Sequence, residues 1–132
     1  MDDEAAVKIG TWTPSLNPEL CRVGGGYLHD GNAEKGSTSI VFTPDLPAAG
    51  EYEVVLVFVP NANRATRVPV TIQMTGGEAK TLLVNQRDSA TKGFAPLGRF
   101  KLPKGKGTSV TISNRDTDGY VVADAVQFVP VK

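Results

Sequence analysis

The side chains able to do acid–base or nucleophilic chemistry are few in this chain. There is one histidine, His29, and one cysteine, Cys21. A Ser-His-Asp triad would have to use His29, but Asp30 follows it directly and would point to the other side of an extended strand. No Gly-x-Ser-x-Gly motif is present, and a zinc site needs several His or Cys ligands. We therefore expect no enzymatic activity and no cofactor, with His29 at the surface and Cys21 inert.

One segment carries oxygen ligands of the kind that calcium prefers. In residues 114–119, the side chains of Asn114, Asp116 and Asp118 alternate along the chain. An EF-hand loop would also need a glutamate further on and two flanking helices, and the sequence predicts neither. A solvated turn is the favoured interpretation, and a structural calcium ion is the alternative.

Asp124 is the carboxylate in the most unusual setting. It lies in residues 119–129, the most apolar segment, whose β-branched and aromatic residues predict one continuous strand. Four other residues would share its face: Tyr120, Val122, Val126 and Phe128. A buried carboxylate needs a hydrogen-bonded partner, and the guanidinium of Arg64, in the connector after a buried strand, suits that role. We predict a partly buried Arg64–Asp124 ion pair, with a ligand contact as the alternative for either residue.

The rest of the chain is predicted to form short strands separated by turns. The 14 glycines and 9 prolines among 132 residues favour strands over helices. Alternating apolar residues predict about eight or nine strands. The clearest cover residues 7–13, 37–43, 51–59, 68–74, 80–85, 96–102, 108–113 and 119–129. This pattern predicts an all-β fold, an antiparallel, jelly-roll-like β-sandwich. We expect one domain over residues 9–131, preceded by an extension or expression start over residues 1–8.

Four positions within this pattern carry finer expectations. The strand over residues 51–59 is apolar on both sides in its second half, which predicts a central strand covered on both faces. Pro69 is expected at a sheet edge or a bulge, and Pro14 outside any strand interior. The change of parity at Gly98 predicts a β-bulge.

Charge and hydropathy limit the partners. The 14 basic and 14 acidic residues cancel, without long runs of one sign, so neither nucleic acid nor a membrane is expected as a partner. A membrane-spanning helix needs about 20 consecutive apolar residues, and no apolar stretch in the sequence approaches that length. The acidic first residues lack the features of a signal peptide, so the compartment is not evident from them.

Several short motifs occur in an order that resembles a known family. In chain order they are Trp12-Thr-Pro-Ser15, Gly26-Tyr27, Leu46-Pro-Ala-Ala-Gly-Glu-Tyr-Glu-Val54, Asn63-Arg-Ala65, Val68-Pro-Val70, Val84-Asn-Gln86, Leu97-Gly98 with Phe100, and Gly119-Tyr-Val-Val-Ala-Asp-Ala-Val126. The set runs from about Ile9 to Val129. It resembles the golvesin C-terminal-like domain, also described as a carbohydrate-binding-like domain of xanthan lyase type.

The resemblance implies a noncatalytic accessory domain of a larger bacterial protein that binds a polysaccharide or cell-surface glycan. Hosts of such domains include polysaccharide lyases, peptidases and FAD-dependent oxidoreductases, and many are secreted, which favours a secreted or cell-envelope location. The alternative is a structural or protein-interaction domain that packs on the parent catalytic domain and has no ligand of its own.

Aromatic rings outside the apolar faces, together with amide side chains, are the candidate sugar contacts. The candidates are Trp12, Tyr27, Asn63, Asn85, Gln86 and Phe94. For each aromatic, packing under a loop is the favoured interpretation, and a sugar contact is the alternative. Phe94 stands where the family resemblance leads us to expect tryptophan, so its ring is smaller and lacks an N–H donor.

Overall fold

A computed structural model of the chain describes residues 6–15, 27–31, 36–58, 64–74, 79–87 and 93–131. These residues form eleven strands. They are β1 (Val7–Ile9), β2 (Thr13–Ser15), β3 (Tyr27–His29), β4 (Ser39–Phe42), β5 (Gly50–Val57), β6 (Val68–Met74), β7 (Ala79–Val84), β8 (Phe94–Leu102), β9 (Thr108–Ser113), β10 (Val122–Ala123) and β11 (Ala125–Pro130). Within the described segments, no helix has the length and apolar character needed to cross a membrane.

The strands form two larger sheets, one of five strands and one of three long strands, and a small sheet of three short strands. Every pairing between strands is antiparallel. The five-stranded sheet has the order β1-β4-β9-β6-β7, the second sheet β11-β5-β8, and the small sheet β10-β3-β2. Alternate residues of the two larger sheets join one buried apolar cluster, with Val70 and Ile112 from one sheet and Val54 and Leu56 from the other. The predicted antiparallel β-sandwich is therefore confirmed.

The features predicted for β5 and its neighbour β8 are confirmed. β5 lies between β11 and β8, and its last four residues, Val54 to Val57, are all buried. The register between β5 and β8 shifts at this point, because Val54 pairs with Gly98 whereas Val55 pairs with Pro96. Leu97 is thus the extra residue of a bulge, and Gly98 has a φ of 126°, a conformation that favours glycine.

The prediction of one continuous last strand is wrong. Val122 and Ala123 form β10 and pair with β3, whereas Ala125 begins β11, which pairs with β5. Asp124 lies between them, at the point where the chain passes from the small sheet to a large one. Residues 121–126 are all buried, so the alternation of inward and outward residues that a single strand would show is absent. This division, with the separate short strand β2, raises the count above the predicted eight or nine.

Two prolines also lie where the sequence did not predict them. Pro69 is the second residue of β6, which lies between β9 and β7, so the prediction of an edge or a bulge is wrong. It is tolerated there because the pairing with β9 begins only at Val70. Pro14 is the middle residue of β2, contrary to prediction. β2 is an edge strand, where a missing N–H donor costs little.

The antiparallel register brings many strand ends to one end of the sandwich. The ends of β5 and β7 and the beginnings of β6, β8 and β11 all lie there. Direct backbone bonds join them: Phe58 N–H donates to Gly93 O at 2.9 Å, and Asp124 N–H donates to Val57 O at 3.3 Å. We call this the loop end, formed by described residues 10–15, 27–31, 36–38, 58, 64–67, 85–87, 93 and 114–124. It holds the small sheet.

Candidate functional site

Three segments at the loop end lie side by side. The N–H of Ala65 donates to Tyr120 O at 2.8 Å, and the N–H of Gln86 donates to Ala65 O at 2.9 Å. Arg64 and Tyr120 form an isolated parallel bridge. We call residues 64–66, 85–87 and 118–122 the loop platform. Its backbone hydrogen bonds hold together three loops that are distant in sequence.

Gln86 holds the platform together from inside. Its side chain is completely buried. Its Nε2 donates to Val122 O at 2.9 Å, and its Oε1 accepts from Val122 N–H at 2.8 Å. The side-chain amide therefore occupies the place that a neighbouring strand would take. Gln86 was expected to contact a sugar, but the structure places its amide away from the surface and in use by the backbone.

A carboxylate and a guanidinium lie at the surface of the platform. The carboxylate of Asp118 accepts from the backbone N–H and from the hydroxyl of Thr66, each at 2.7 Å. Arg87 approaches Asp118 Oδ2 at 3.7 Å, with both side chains roughly half exposed, and its Nε donates to Arg64 O. The backbone bond from Thr66, its hydroxyl and, to a smaller extent, Arg87 lower the pKa of Asp118. The site therefore presents an ionised acceptor beside a fixed donor.

The platform segment that carries Asp118 also carries an aromatic residue, Tyr120, two positions further on. His29 and Tyr120 meet edge to face, with ring centroids 5.6 Å apart and an interplanar angle of 72°. The backbone N–H of Gly31 donates to His29 Nδ1 at 3.0 Å, which fixes the imidazole. Both residues are half-buried. Tyr120 was expected on a core face, but the break at Asp124 removes it from β11 and leaves the residue half-buried at the loop end.

Buried polar groups anchor the segment that carries Tyr120. Asp30 Oδ1 accepts from Val121 N–H and Asp30 Oδ2 accepts from Asn114 Nδ2, both at 3.0 Å. Asn114 Oδ1 in turn accepts from the backbone N–H of Gly36 at 2.9 Å. These bonds join the residue after β3, the loop before β4 and the turn after β9. Because the bonds lie inside the protein, the position of Tyr120 does not depend on solvent-exposed contacts.

The three oxygen ligands of residues 114–119 do not converge. Asn114 is buried and bonded to the backbone of the loop before β4, so the interpretation as a solvated turn does not apply to it. The side chain of Asp116 is 94% exposed, and the carboxylate of Asp118 is directed to Thr66. Among the residues that the structure describes, no group of three His, Cys, Asp or Glu side chains is placed to hold a metal ion.

The other predicted ligand residues that are described also lie at or next to the loop end. Trp12 is half-buried against the core, and its Nε1 donates to Ser39 O at 2.9 Å, as expected for packing. Phe94 is 39% exposed and begins β8 opposite Val57. Asn85 is exposed, and its Oδ1 accepts from Arg87 N–H at 3.0 Å.

The remaining predicted positions are Tyr27, Asn63, Cys21 and the predicted ion pair. Tyr27 begins β3 opposite Ser15, with only its backbone described. Asn63 and Cys21 lie outside the described residues. Arg64 and Asp124 are both buried, with 5% and 0% of their surface exposed. Their ion pair stays a prediction.

The charged pair of the platform was missed by the sequence analysis. Arg87 directly follows the candidates Asn85 and Gln86, and Asp118 was considered only as a calcium ligand. The signal that could have found them is the presence of opposite charges in two polar connections. What the sequence did not show is that these connections, 31 residues apart, lie side by side.

Comparisons with known proteins agree on the family. The sequence model of the Golvesin C-terminal domain matches residues 1–130. The chain is 42% identical to xanthan lyase from Bacillus sp. (strain GL1), over 98% of the chain and 14% of the lyase. The structure of Paenibacillus xanthan lyase superposes with a TM-score of 0.92 at 38% identity, over all of this chain and 13% of the lyase.

A family 35 carbohydrate binding module from Clostridium thermocellum shares the fold at 20% identity, with a TM-score of 0.65 over 96% of this chain and 93% of the module. This chain thus spans a small part of the lyases but nearly the whole of the module. The match to the family model covers almost the entire chain, and the ordered motifs of the sequence agree with it. The chain belongs to the Golvesin C-terminal domain family.

Proposed function

We propose that this chain is a noncatalytic carbohydrate-binding domain whose loop platform binds a polysaccharide. The observation that carries the proposal is the half-exposed pair of Asp118 and Arg87. Two residues further along the same platform segment, Tyr120 meets the ring of His29 edge to face. A sugar offers hydroxyl groups that both donate and accept hydrogen bonds, and an apolar face of C–H groups. The platform presents groups complementary to each.

The polar half of the platform has capacity left for a ligand. A carboxylate can accept about four hydrogen bonds, and Thr66 supplies two to Asp118. The guanidinium of Arg87 has five N–H donors, one of which is bonded to Arg64 O. Neighbouring sugar hydroxyls can donate to Asp118 and accept from Arg87 at the same time. Charge-assisted bonds of this kind are stronger than neutral ones.

The electrostatics of Asp118 favour binding over catalysis. A general acid that protonates a glycosidic oxygen needs a raised pKa. Thr66 and Arg87 lower the pKa of Asp118 instead, so its carboxylate remains an acceptor at neutral pH. The chain also has a single histidine, His29, and its Nδ1 is occupied by Gly31 N–H.

Similar structures support the class of function. Two of them are by name binding modules: the family 35 module from Clostridium thermocellum and the mannan binding module from Man5C, which has a TM-score of 0.56 at 12% identity and is covered over 97% of its length. Such a likeness shows the fold, and the site must be argued from the residues. Since this chain corresponds to 14% of a xanthan lyase, we propose that the domain assists a larger polysaccharide-degrading enzyme.

Affinity electrophoresis in gels containing soluble polysaccharides, with pull-down on insoluble ones, tests the proposal. We expect retardation by at least one polymer of a broad panel. Arg87→Ala and Tyr120→Ala should each lower the affinity about tenfold, as expected for one charge-assisted bond or one stacked ring. Arg99→Ala is the matched control, because Arg99 is an exposed arginine on β8 that pairs with Glu53 at 3.8 Å.

Two results would overturn the proposal. One is the absence of binding across the whole panel. The other is binding that survives both platform substitutions in folded protein but is lost in Phe94→Ala, which would move the site to the face of the β11-β5-β8 sheet. Thermal melting of each variant shows whether it is folded.

A further inference from the structure

A groove lies on the outer side of the five-stranded sheet, beside the loop platform. Its volume is about 320 Å³, and its lining residues are Arg67, Pro69, Leu83, Arg115 and Asp116. Sites for small ligands begin at about this size. The groove is therefore large enough for one sugar residue of a chain.

The floor of the groove is aliphatic. Pro69 and Leu83 are directly opposite each other in the ladder between β6 and β7, so they share a face. That face is the outer one, because the neighbours Val68 and Val70 are buried and Leu83 is 54% exposed. An aliphatic surface of this kind can pack against the C–H groups of a sugar ring.

The rim of the groove carries two arginines. Arg67 directly precedes β6, and Arg115 follows β9, where its backbone N–H donates to Ser113 Oγ at 3.1 Å. The carboxylate of Asp116 lies 3.9 Å from Arg115 Nε, with both side chains highly exposed. An ion pair this exposed has a small interaction free energy, so Asp116 does not prevent Arg115 from binding a ligand. Two positive charges and one negative charge leave the rim with an excess of one positive charge.

We propose that this groove binds a carboxylate-bearing sugar residue of an acidic polysaccharide. The sugar ring lies over Pro69 and Leu83, and the carboxylate lies between Arg67 and Arg115. A guanidinium can donate two parallel N–H hydrogen bonds to the two oxygens of one carboxylate. A neutral sugar hydroxyl, with one oxygen, does not accept such a pair. The groove therefore selects an acidic sugar over its neutral counterpart.

Two residues that line the groove are close in sequence to residues of the loop platform, and this inference rests on the proposed function of that platform. Arg67 directly follows Thr66 of the platform, and Asp116 precedes Asp118 by two residues. A polysaccharide that contacts Asp118 and Arg87 can extend over the rim into the groove. The platform then supplies contacts to sugar hydroxyls, and the groove supplies the preference for charge.

Affinity electrophoresis with matched polymers tests the inference. The probes are polygalacturonate, polyglucuronate and alginate, each compared with its carboxyl-reduced form, which keeps the rings and linkages and loses the charge. At least one acidic polymer should bind more tightly than its reduced form. The double substitution Arg67→Ala/Arg115→Ala should weaken that binding about tenfold or more and leave binding of the reduced form unchanged. Arg99→Ala again controls for the loss of an exposed arginine.

A gain of affinity is expected from the opposite change. Asp116→Asn removes the one negative charge of the rim, so it should tighten binding of the acidic polymer. Asp116 has a φ of 55°, and asparagine tolerates this left-handed conformation well, so the backbone of the turn is retained. Added salt should weaken binding of the acidic polymer more than binding of its reduced form.

The possible failures are distinct. Absence of binding to every polymer, acidic, reduced or neutral, overturns the proposed function. Equal binding of each acidic polymer and its reduced form, or a preference that survives Arg67→Ala/Arg115→Ala, overturns only the role of the groove. Polyglutamate is the control for charge alone, and a retardation equal to that of the acidic polysaccharide would contradict recognition of a sugar ring.

Discussion

The side-chain amide of Gln86 binds both the N–H and the C=O of Val122, at 2.8 and 2.9 Å, inside the protein. The second residue after β7 is thereby tied to the first residue of β10. This bond pair connects two segments of the loop platform through one side chain. Neither backbone group of Val122 can reach water at this depth. The two bonds from Gln86 therefore satisfy backbone polar groups that would otherwise be buried without a hydrogen-bond partner.

Substitution of Gln86 should therefore destabilise the fold. Gln86→Leu keeps a similar side-chain volume and leaves two buried backbone groups without their partner. We expect a loss of about 1–3 kcal/mol in the free energy of unfolding for each group, measured by chemical denaturation. Asn85→Ala, at the exposed neighbouring position, should have little effect. A Gln86→Leu protein with the stability of the wild type would contradict the structural role of the amide.

The stability contributed by Asp118 should depend on pH. Bonds from Thr66 lower the pKa of Asp118 in the folded protein, so the unfolded chain binds the proton more readily. The contribution is therefore present above the ordinary pKa of about 3.9 and is lost as the pH falls through the lower folded-state value. The difference in unfolding free energy between the wild type and Asp118→Asn should shrink toward zero on acidification.

The same carboxylate can be titrated directly by NMR. Thr66→Ala removes the hydroxyl donor and keeps the backbone donor, so it should raise the pKa of Asp118 part of the way toward the ordinary value. A titration in which the Asp118 carboxylate of the wild type follows the ordinary aspartate curve would disprove the bonding assigned to Thr66.

The bulge in β8 makes Gly98 sensitive to substitution. Gly98 has a φ of 126°, and a Cβ added there would lie 3.4 Å from the ring of Phe100. Because L-residues rarely adopt this conformation, Gly98→Ala should lower the free energy of unfolding by about 1–3 kcal/mol. Gly50→Ala is the control, since Gly50 has no positive φ and no atom within 4 Å of an added Cβ. Equal stability of the two variants would show that the backbone conformation at position 98 does not require glycine.

The predicted ion pair between Arg64 and Asp124 gives a stringent test. Both residues are buried, and removal of one partner from a buried pair costs about 3–5 kcal/mol, because it leaves the other charge uncompensated. Asp124→Asn should therefore lower the melting temperature strongly. Arg64→Met/Asp124→Asn should be less destabilised than the sum of the two single variants. An unchanged melting temperature in Asp124→Asn would exclude the pair.

The β-sandwich could be predicted because alternation reports burial directly. In the predicted strand over residues 108–113, Val110 and Ile112 alternate with polar residues, and both are fully buried. The division of residues 119–129 was not predictable in this way. Residues 121–126 are covered on both faces, so Val121, Val122 and Ala123 are apolar without alternation, and nothing local marks Asp124 as the point where the chain changes sheets.

The candidate site was only partly predictable, for a related reason. The sequence indicated Asn85 and Gln86 as candidate sugar contacts because both carry amides, but residue type alone does not distinguish an exposed amide from a buried one. Gln86 is buried because Val122 requires its amide, and that contact spans 36 residues. The pairing of Arg87 with Asp118 likewise depends on sheet topology, which single-sequence patterns do not encode.

The passage of the chain from β10 to β11 has a consequence for ligand binding. The segment that bears Tyr120 continues directly into Val122, bonded to Gln86, and then into Asp124, bonded to Val57 of the central strand. The conformational entropy of this segment is thus already lost when the domain folds. A ligand that binds the platform does not have to order it, so more of each contact appears as affinity.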